Sequence, residues 1–181
     1  MITIAIPTYD RGAILVETIE RLLALEPRAE AIVIADQTRA HPPAIDAALA
    51  RWAREGAIVW LRLPEPSIPH AMNEALLAAK TPLVLFLDDD LIPDPRLAGA
   101  HVGAHGDGAI WAVAGQVLQP GEEPLTRRFA APSPRSRGEG KRDDLEFRFN
   151  SSEPRFITNV MAGNLSVKRE RALQIGGFDE N

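Results

Sequence analysis

A chain of 181 residues with 45% hydrophobic content is long enough to bury one sizeable core, and a single domain is expected. Its net charge of -5 argues against non-specific nucleic-acid binding. The absence of cysteine excludes disulfides, thiolate nucleophiles and Cys-ligated zinc, and fits a reducing cytoplasm.

Met1 runs straight into Ile2-Thr3-Ile4-Ala5-Ile6, which lacks the basic start and longer apolar core of a signal peptide. No apolar stretch approaches the length of a membrane span. A soluble, cytoplasmic piece is expected, with any membrane association left to sequence outside these residues.

Ile2 to Ile6 reads as a short strand, and Ile14, Leu15, Thr18, Ile19, Leu22, Leu23 and Leu25 recur after it at helical spacing. Ala31 to Ala35 is a second strand, followed by a stripe of Ile45, Leu49 and Trp52. Ile58 to Leu63 is a third, followed by Met72, Leu76 and Leu77. Leu83 to Leu87 is a fourth, apolar throughout and so suited to burial on both faces. This alternation implies an α/β fold, a mostly parallel twisted sheet with helices on both faces.

Asp94-Pro95 reads as the cap and first residue of a further helix, and Ala109 to Val117 as another strand. Pro120 to Asn150 mixes proline, glycine, arginine and acidic residues and reads as a mobile loop within the domain. Order is expected again at Phe156 to Val160, and Lys168 to Gln174 reads as a short helix stopped by Gly176-Gly177. Trp52, Trp60 and Trp111 each fall within an element and are expected in the core.

Open α/β sheets bind ligands at the C-terminal ends of their strands. Pro7-Thr8-Tyr9-Asp10, Asp36-Gln37-Thr38 and Asp88-Asp89-Asp90 each follow an expected strand, so all three open onto one crevice. In extended chain, residues i and i+2 point the same way, so Asp88 and Asp90 can share one hard cation while Asp89 turns elsewhere. Without a cation, like charges this close push a proton back onto one of them. The plain alternative, acids that cap a strand and open a solvated loop, is weakened by the apolar run that delivers them. Asp36 taken alone reads more readily as a helix or turn cap than as a ligand contact. His101 and His105 have the i, i+4 spacing of metal ligands, but no third ligand accompanies them.

Four blocks, in order, carry a resemblance: Ile6-Pro7-Thr8-Tyr9-Asp10-Arg11, Ile34-Ala35-Asp36-Gln37-Thr38, Phe86-Leu87-Asp88-Asp89-Asp90, and Gly163-Asn164-Leu165-Ser166-Val167-Lys168-Arg169 running into Gly176-Gly177-Phe178-Asp179-Glu180. Together they resemble the N-terminal catalytic region of the family-two glycosyltransferases, which have the nucleotide-diphosphate-sugar-binding fold of the A type, Rossmann-like in form. The resemblance implies an inverting, metal-dependent transfer of a sugar from a nucleoside diphosphate sugar to an acceptor hydroxyl on a glycan, lipid or small molecule. Mn2+ or Mg2+ is the implied cofactor, and a UDP-sugar is the first guess as donor.

The resemblance puts Pro7, Thr8 and Tyr9 around the base and ribose, has Asp36 accept a hydrogen bond from the base, and sets Asp88 and Asp89 on the nucleotide side. Asp88 and Asp90 become the metal carboxylates, and Gly163 and Asn164 line the donor and acceptor side. Asn73 matches the second residue of an Arg-Asn pair in the family, with Met72 standing where the family has Arg. The family's general base follows the Gly-Gly-Phe-Asp-Glu segment at some distance, so it is expected after Asn181, in a domain truncated at its C-terminus.

Two other readings compete. A non-catalytic nucleotide-sugar-binding module needs no base. A haloacid-dehalogenase-type phosphotransferase also uses Asp-x-Asp after an apolar strand, but usually on the first strand and closely followed by Thr or Val. Here the acids end the fourth strand and Leu91 follows.

Overall fold

The computed structural model describes residues 1–119, 160 and 162–180. The chain divides into two compact units, Met1–Ala114 with Met161–Asn181, and Gly115–Val160. Of the second, residues 115–119 and 160 are described, so the expected loop at Pro120 to Asn150 and most of the segment Phe156 to Val160 lie outside the described residues.

In the first unit, β1 (Ile2–Thr8), α1 (Ala13–Leu23), β2 (Ala31–Asp36), α2 (Pro43–Arg54), β3 (Val59–Arg62), α3 (Ile68–Ala78) and β4 (Leu83–Leu87) alternate as the periodicity requires. α4 (Leu97–Ala104), β5 (Ala112–Ala114), β6 (Asn164–Lys168) and α5 (Arg169–Gln174) follow. The strand order is β3-β2-β1-β4-β6-β5. β1 pairs in parallel with both β2 and β4, and β2 with β3. β6 runs antiparallel to β4 and to β5, closing that side of an otherwise parallel sheet.

The strands' two-residue period sorts the core into two layers. Ile4 and Ile6 of β1, Ile32 and Ile34 of β2, and Leu85 and Leu87 of β4 face α1 and α2 through Leu15, Ile19, Leu22, Leu49 and Trp52. Ala5, Val33, Ala35, Val84 and Phe86 face the other way, onto Ala71, Met72, Ala75 and Leu76 of α3. All five residues of β4 are buried, as an apolar run in a two-sided parallel sheet must be. α1 starts at Gly12 without a side-chain cap. Three fully buried aliphatic residues, at about 1.5–3 kcal/mol each, outweigh the roughly 1 kcal/mol a cap supplies.

Four expectations are corrected. α4 begins at Leu97, because Asp94 accepts a hydrogen bond from the Arg96 amide at 2.8 Å and closes a turn ahead of the helix. The strand expected over Ala109 to Val117 shrinks to Ala112–Ala114, since Asp107 ties Ala109 and Ile110 into a turn and only three residues pair with β6. Ile14 and Leu77 lie at the margins of their helical stripes and are exposed. Trp111 is 47% exposed and lies over the Arg171 guanidinium, with the charge 4.9 Å from the ring centroid. Trp52 is buried, while Trp60 is half-buried.

Candidate functional site

From β1 the chain builds outward to β2 and β3, then returns to place β4 on the other side of β1. The topological switch point therefore lies between the C-terminal ends of β1 and β4, where such sheets open a ligand crevice. Thr8 ends β1 and Asp88 to Asp90 follow β4 at this point.

The strand ends at Leu87 and the chain bends at Asp89 and Asp90; within the triplet Asp88 and Asp90 are exposed and Asp89 is buried. The Thr8 hydroxyl donates to Asp89 Oδ2 at 2.6 Å, and Arg11 Nε lies 3.2 Å from Asp89 Oδ1. Thr18 on α1 donates to the Asp89 carbonyl at 2.9 Å, fixing the backbone. Burial raises the pKa of Asp89, against Thr8 and Arg11. Although its side chain reaches solvent, protein packed about the Asp88 carboxyl raises its pKa as well, and the charges of Asp90 and Asp89 add to the effect.

β6 supplies the opposite wall. In the β4 to β6 register Leu87 faces Asn164, and the Asp88 amide donates to the Gly163 carbonyl. A Cβ on Gly163 would run into the Asp88 carboxylate, so the acid keeps this rotamer only beside a glycine. Asn164 Oδ1 lies 2.8 Å from His101 Nε2, and the Ser166 hydroxyl lies 2.7 Å from His101 Nδ1 and 2.8 Å from His105 Nε2. Burial lowers the pKa of both histidines. Both are packed in the core, His101 with a partner at each ring nitrogen and His105 with one at Nε2; among the described residues no group of three His, Cys, Asp or Glu side chains is placed to hold a metal ion.

Asp36, at the end of β2, is buried, and its carboxylate is engaged on both oxygens. Oδ1 accepts from the Thr38 amide at 2.9 Å; Oδ2 accepts from Trp60 Nε1 at 2.9 Å and from His41 Nε2 at 2.6 Å. Burial alone would raise its pKa, but the hydrogen bonds, that of His41 first, hold it below the ordinary carboxylate value. Asn73 is equally committed. Its amide donates to the Phe178 carbonyl at 2.9 Å and to Glu180 at 2.6 Å, while its Oδ1 accepts from the Phe178 amide at 2.8 Å.

Gly177, at φ 76°, adopts a conformation that favours glycine, and a Cβ there would strike the Asn73 side chain. Glu180 also meets His70 at 3.2 Å. Asn73 and then His70 hold its pKa below the usual range, which makes it a weak base.

The structure thus gathers Thr8, Asp88, Asp89, Asp90 and Gly163 around the switch point. The side chains of Thr8, Asp36 and Asn73 are bound to other protein groups, whereas the Tyr9 ring is exposed. Pro7, half-buried, pairs with Ala35 inside the sheet. Sequence reading gave no role to Arg11, which joins two members of the triplet, or to His41 and Trp60, which hold Asp36. Arg11 was legible in principle, since it follows Pro-Thr-Tyr-Asp in the first crevice loop. His41 and Trp60 have no local signal.

Two exposed carboxylates two residues apart, one of them disfavoured as an anion by burial and then by its neighbours' charges, suit a hard divalent ion. Such an ion would be held by Asp88 and Asp90, with oxygen ligands from outside the protein completing its shell.

Among solved structures, the chain is similar to the mannosyltransferase PcManGT from Pyrobaculum calidifontis in complex with GDP-Man and Mn2+, at 17% identity and TM-score 0.67, covering 99% of this chain and 48% of that one. It is similar to mannosyl-3-phosphoglycerate synthase from Rubrobacter xylanophilus at 16% identity and TM-score 0.59, covering 94% and 54%. It is similar also to glucosyl-3-phosphoglycerate synthase from Mycobacterium tuberculosis in complex with UDP, at 16% identity and TM-score 0.56, covering 94% and 57%. At these identities the likeness shows the fold, and the chain spans about half the length of these structures. No match was found among curated protein sequences. The profile of Glycosyl transferase family 2 matches residues 3–164, nearly the whole span that builds the crevice, and the chain belongs to that family.

Proposed function

We propose that this chain binds a nucleoside diphosphate sugar at the β1 and β4 switch point and transfers the sugar, with inversion, to an acceptor hydroxyl. The observation that carries this reading is the alternation at the triplet, in which Asp89 is locked inward by Thr8 and Arg11 while Asp88 and Asp90 face outward. Asp88 and Asp90 hold Mn2+ or Mg2+. When bound, the ion supplies Lewis-acid stabilisation of charge on the departing diphosphate.

The exposed Tyr9 ring offers a face for the base, supported by the adjoining backbone of Pro7 and Thr8. Asp36 and Asn73 act through what they hold, the loop after β2 and the Phe178 to Glu180 segment respectively. Gly163 leaves room for Asp88 and sets Asn164 beside it, on the donor and acceptor side. UDP and GDP are the donor nucleotides to try first, UDP from the family resemblance and GDP because the mannosyltransferase neighbour binds GDP-Man. Inversion requires a base opposite the leaving group. Glu180, tied to Asn73 and His70, is not assigned that role.

A thermal-shift panel of nucleoside diphosphates and their sugars, with Mn2+ and with chelator, tests the reading. A ligand of the native state raises the melting temperature by mass action. One nucleotide should do so in Mn2+ and lose its effect in chelator. An equal shift in both conditions would remove the metal, and no shift from any nucleotide would remove the donor site. Release of nucleoside diphosphate that depends on an added acceptor separates a transferase from a binding module.

A further inference from the structure

In the proposed function Arg11 only helps to hold Asp89 inward, yet its charge also reaches Asp90 and its placement is built into the fold. The residues on either side of it, Asp10 and Gly12, both have left-handed backbone, at φ 54° and 51°. That conformation is unfavourable for a residue with a Cβ, and the Asp10 amide is held in place by the Thr38 hydroxyl at 2.9 Å. The resulting reversal sends the Arg11 guanidinium back across the triplet.

Its two contacts differ in kind. Nε lies 3.2 Å from Oδ1 of buried Asp89, which the Thr8 hydroxyl also holds, so this end is an anchor. Nη2 lies 3.3 Å from Oδ2 of Asp90, and both of those side chains are about half exposed, at 48% and 46%. An ion pair in that setting is weak and readily exchanged. It nevertheless puts a positive charge on one of the two carboxylates assigned to the divalent ion.

We propose that Arg11 is the counter-ion of the metal-free site: it competes with the divalent cation for Asp90 and, once displaced, binds the anionic oxygens of the nucleoside diphosphate while staying anchored on Asp89. The guanidinium fork suits phosphate oxygens as well as carboxylate ones, so the exchange costs little in hydrogen bonding. Metal and nucleotide then bind cooperatively, because each removes a cost of binding the other. The proposal rests on the metal reading of Asp88 and Asp90.

Calorimetry on the 181-residue chain separates the two. Mn2+ is titrated alone, and UDP, or GDP if UDP does not bind, is titrated in saturating Mn2+. Arg11→Met keeps the aliphatic stem and removes the charge. Mn2+ alone should bind this variant about three- to tenfold more tightly than wild type, since a competing charge a few ångströms away is gone. The nucleotide in saturating Mn2+ should bind it about tenfold more weakly, having lost a charge-assisted contact. Arg11→Gln retains a donor for Asp89 without the charge and carries the same expectations should Arg11→Met fail to fold.

Equal Mn2+ affinity in wild type and variant overturns the competition, and an unchanged nucleotide affinity overturns the diphosphate contact; either leaves Arg11 a brace for Asp89. Absence of Mn2+ binding from both proteins, with and without nucleotide, overturns the metal reading and this proposal with it.

Discussion

Asp36→Ala separates a ligand contact from a structural anchor, because the buried carboxylate satisfies three donors: the Thr38 amide, the His41 ring and the Trp60 indole. Each buried donor left without a partner costs about 1–3 kcal/mol. Removing the carboxylate recovers part of its own desolvation penalty and admits water to the gap, so a net loss of about 3 kcal/mol is expected, not the full sum. For a chain of this size that lowers the melting temperature by roughly 6–12 °C. Trp60→Phe, which removes one donor and keeps the ring, should cost about 1 kcal/mol.

The pKa of Asp36 is lower in the folded chain than the ordinary carboxylate value of 3.8. Its stabilisation is therefore fully present above pH 3.8 and is lost as the pH falls through the folded value, so wild type and variant should converge only in that acid range. Urea and thermal unfolding across pH, with nucleotide affinity measured well below the transition, provide the assay. An unchanged melting temperature together with lost nucleotide affinity would refute the reasoning and restore Asp36 to direct contact with the base.

Asp90→Asn should abolish the effect of Mn2+ on nucleotide binding while leaving stability within about 0.5 kcal/mol, as an exposed side chain allows. Asp89→Asn should do the reverse, losing about 1–2 kcal/mol as the bonds from Thr8 and Arg11 weaken; matched losses in both variants would show that the alternation of burial has no functional consequence. Gly163→Ala should leave the fold intact, because exposed Asp88 can rotate away, yet weaken nucleotide binding in Mn2+ by about tenfold; binding at wild-type strength would show that Asp88 is not needed where it stands.

Burial holds the pKa of His101 and His105 below the ordinary imidazole value of 6.5, so the unfolded chain binds protons more readily there and their contribution to stability is lost as the pH falls below 6.5. His101→Gln should flatten the melting temperature between pH 7.5 and 5.5 relative to wild type, and parallel curves would count against this origin of acid sensitivity.

Elements with strong periodicity were legible in the sequence by themselves. Leu83 to Leu87, a short unbroken apolar run, reads as a strand buried on both faces, which puts the acids at its end on the strand's C-terminal edge, as found. Period-two alternation led to the expectation that Asp89 differs from its neighbours, which it does in burial, although the chain bends there and the contacts with Thr8 and Arg11 hold it inward. Helix stripes were legible except at their margins, where Ile14 and Leu77 turn out of the core.

Tertiary structure alone decided which polar groups are available. Thr8, Asp36 and Asn73 have the chemistry of ligand contacts, but whether a hydroxyl, carboxylate or amide meets a ligand or the protein depends on segments that folding brings beside it. Asp89 is 81 residues from Thr8, and Phe178 is 105 from Asn73. Such pairings carry no periodic trace, because a hydrogen bond needs one donor at one distance and constrains nothing about the residues next to it in the chain. The fit of glycine at 163 to this Asp88 rotamer has the same origin: it follows from the carboxylate of Asp88, which only the β4 to β6 pairing brings against it.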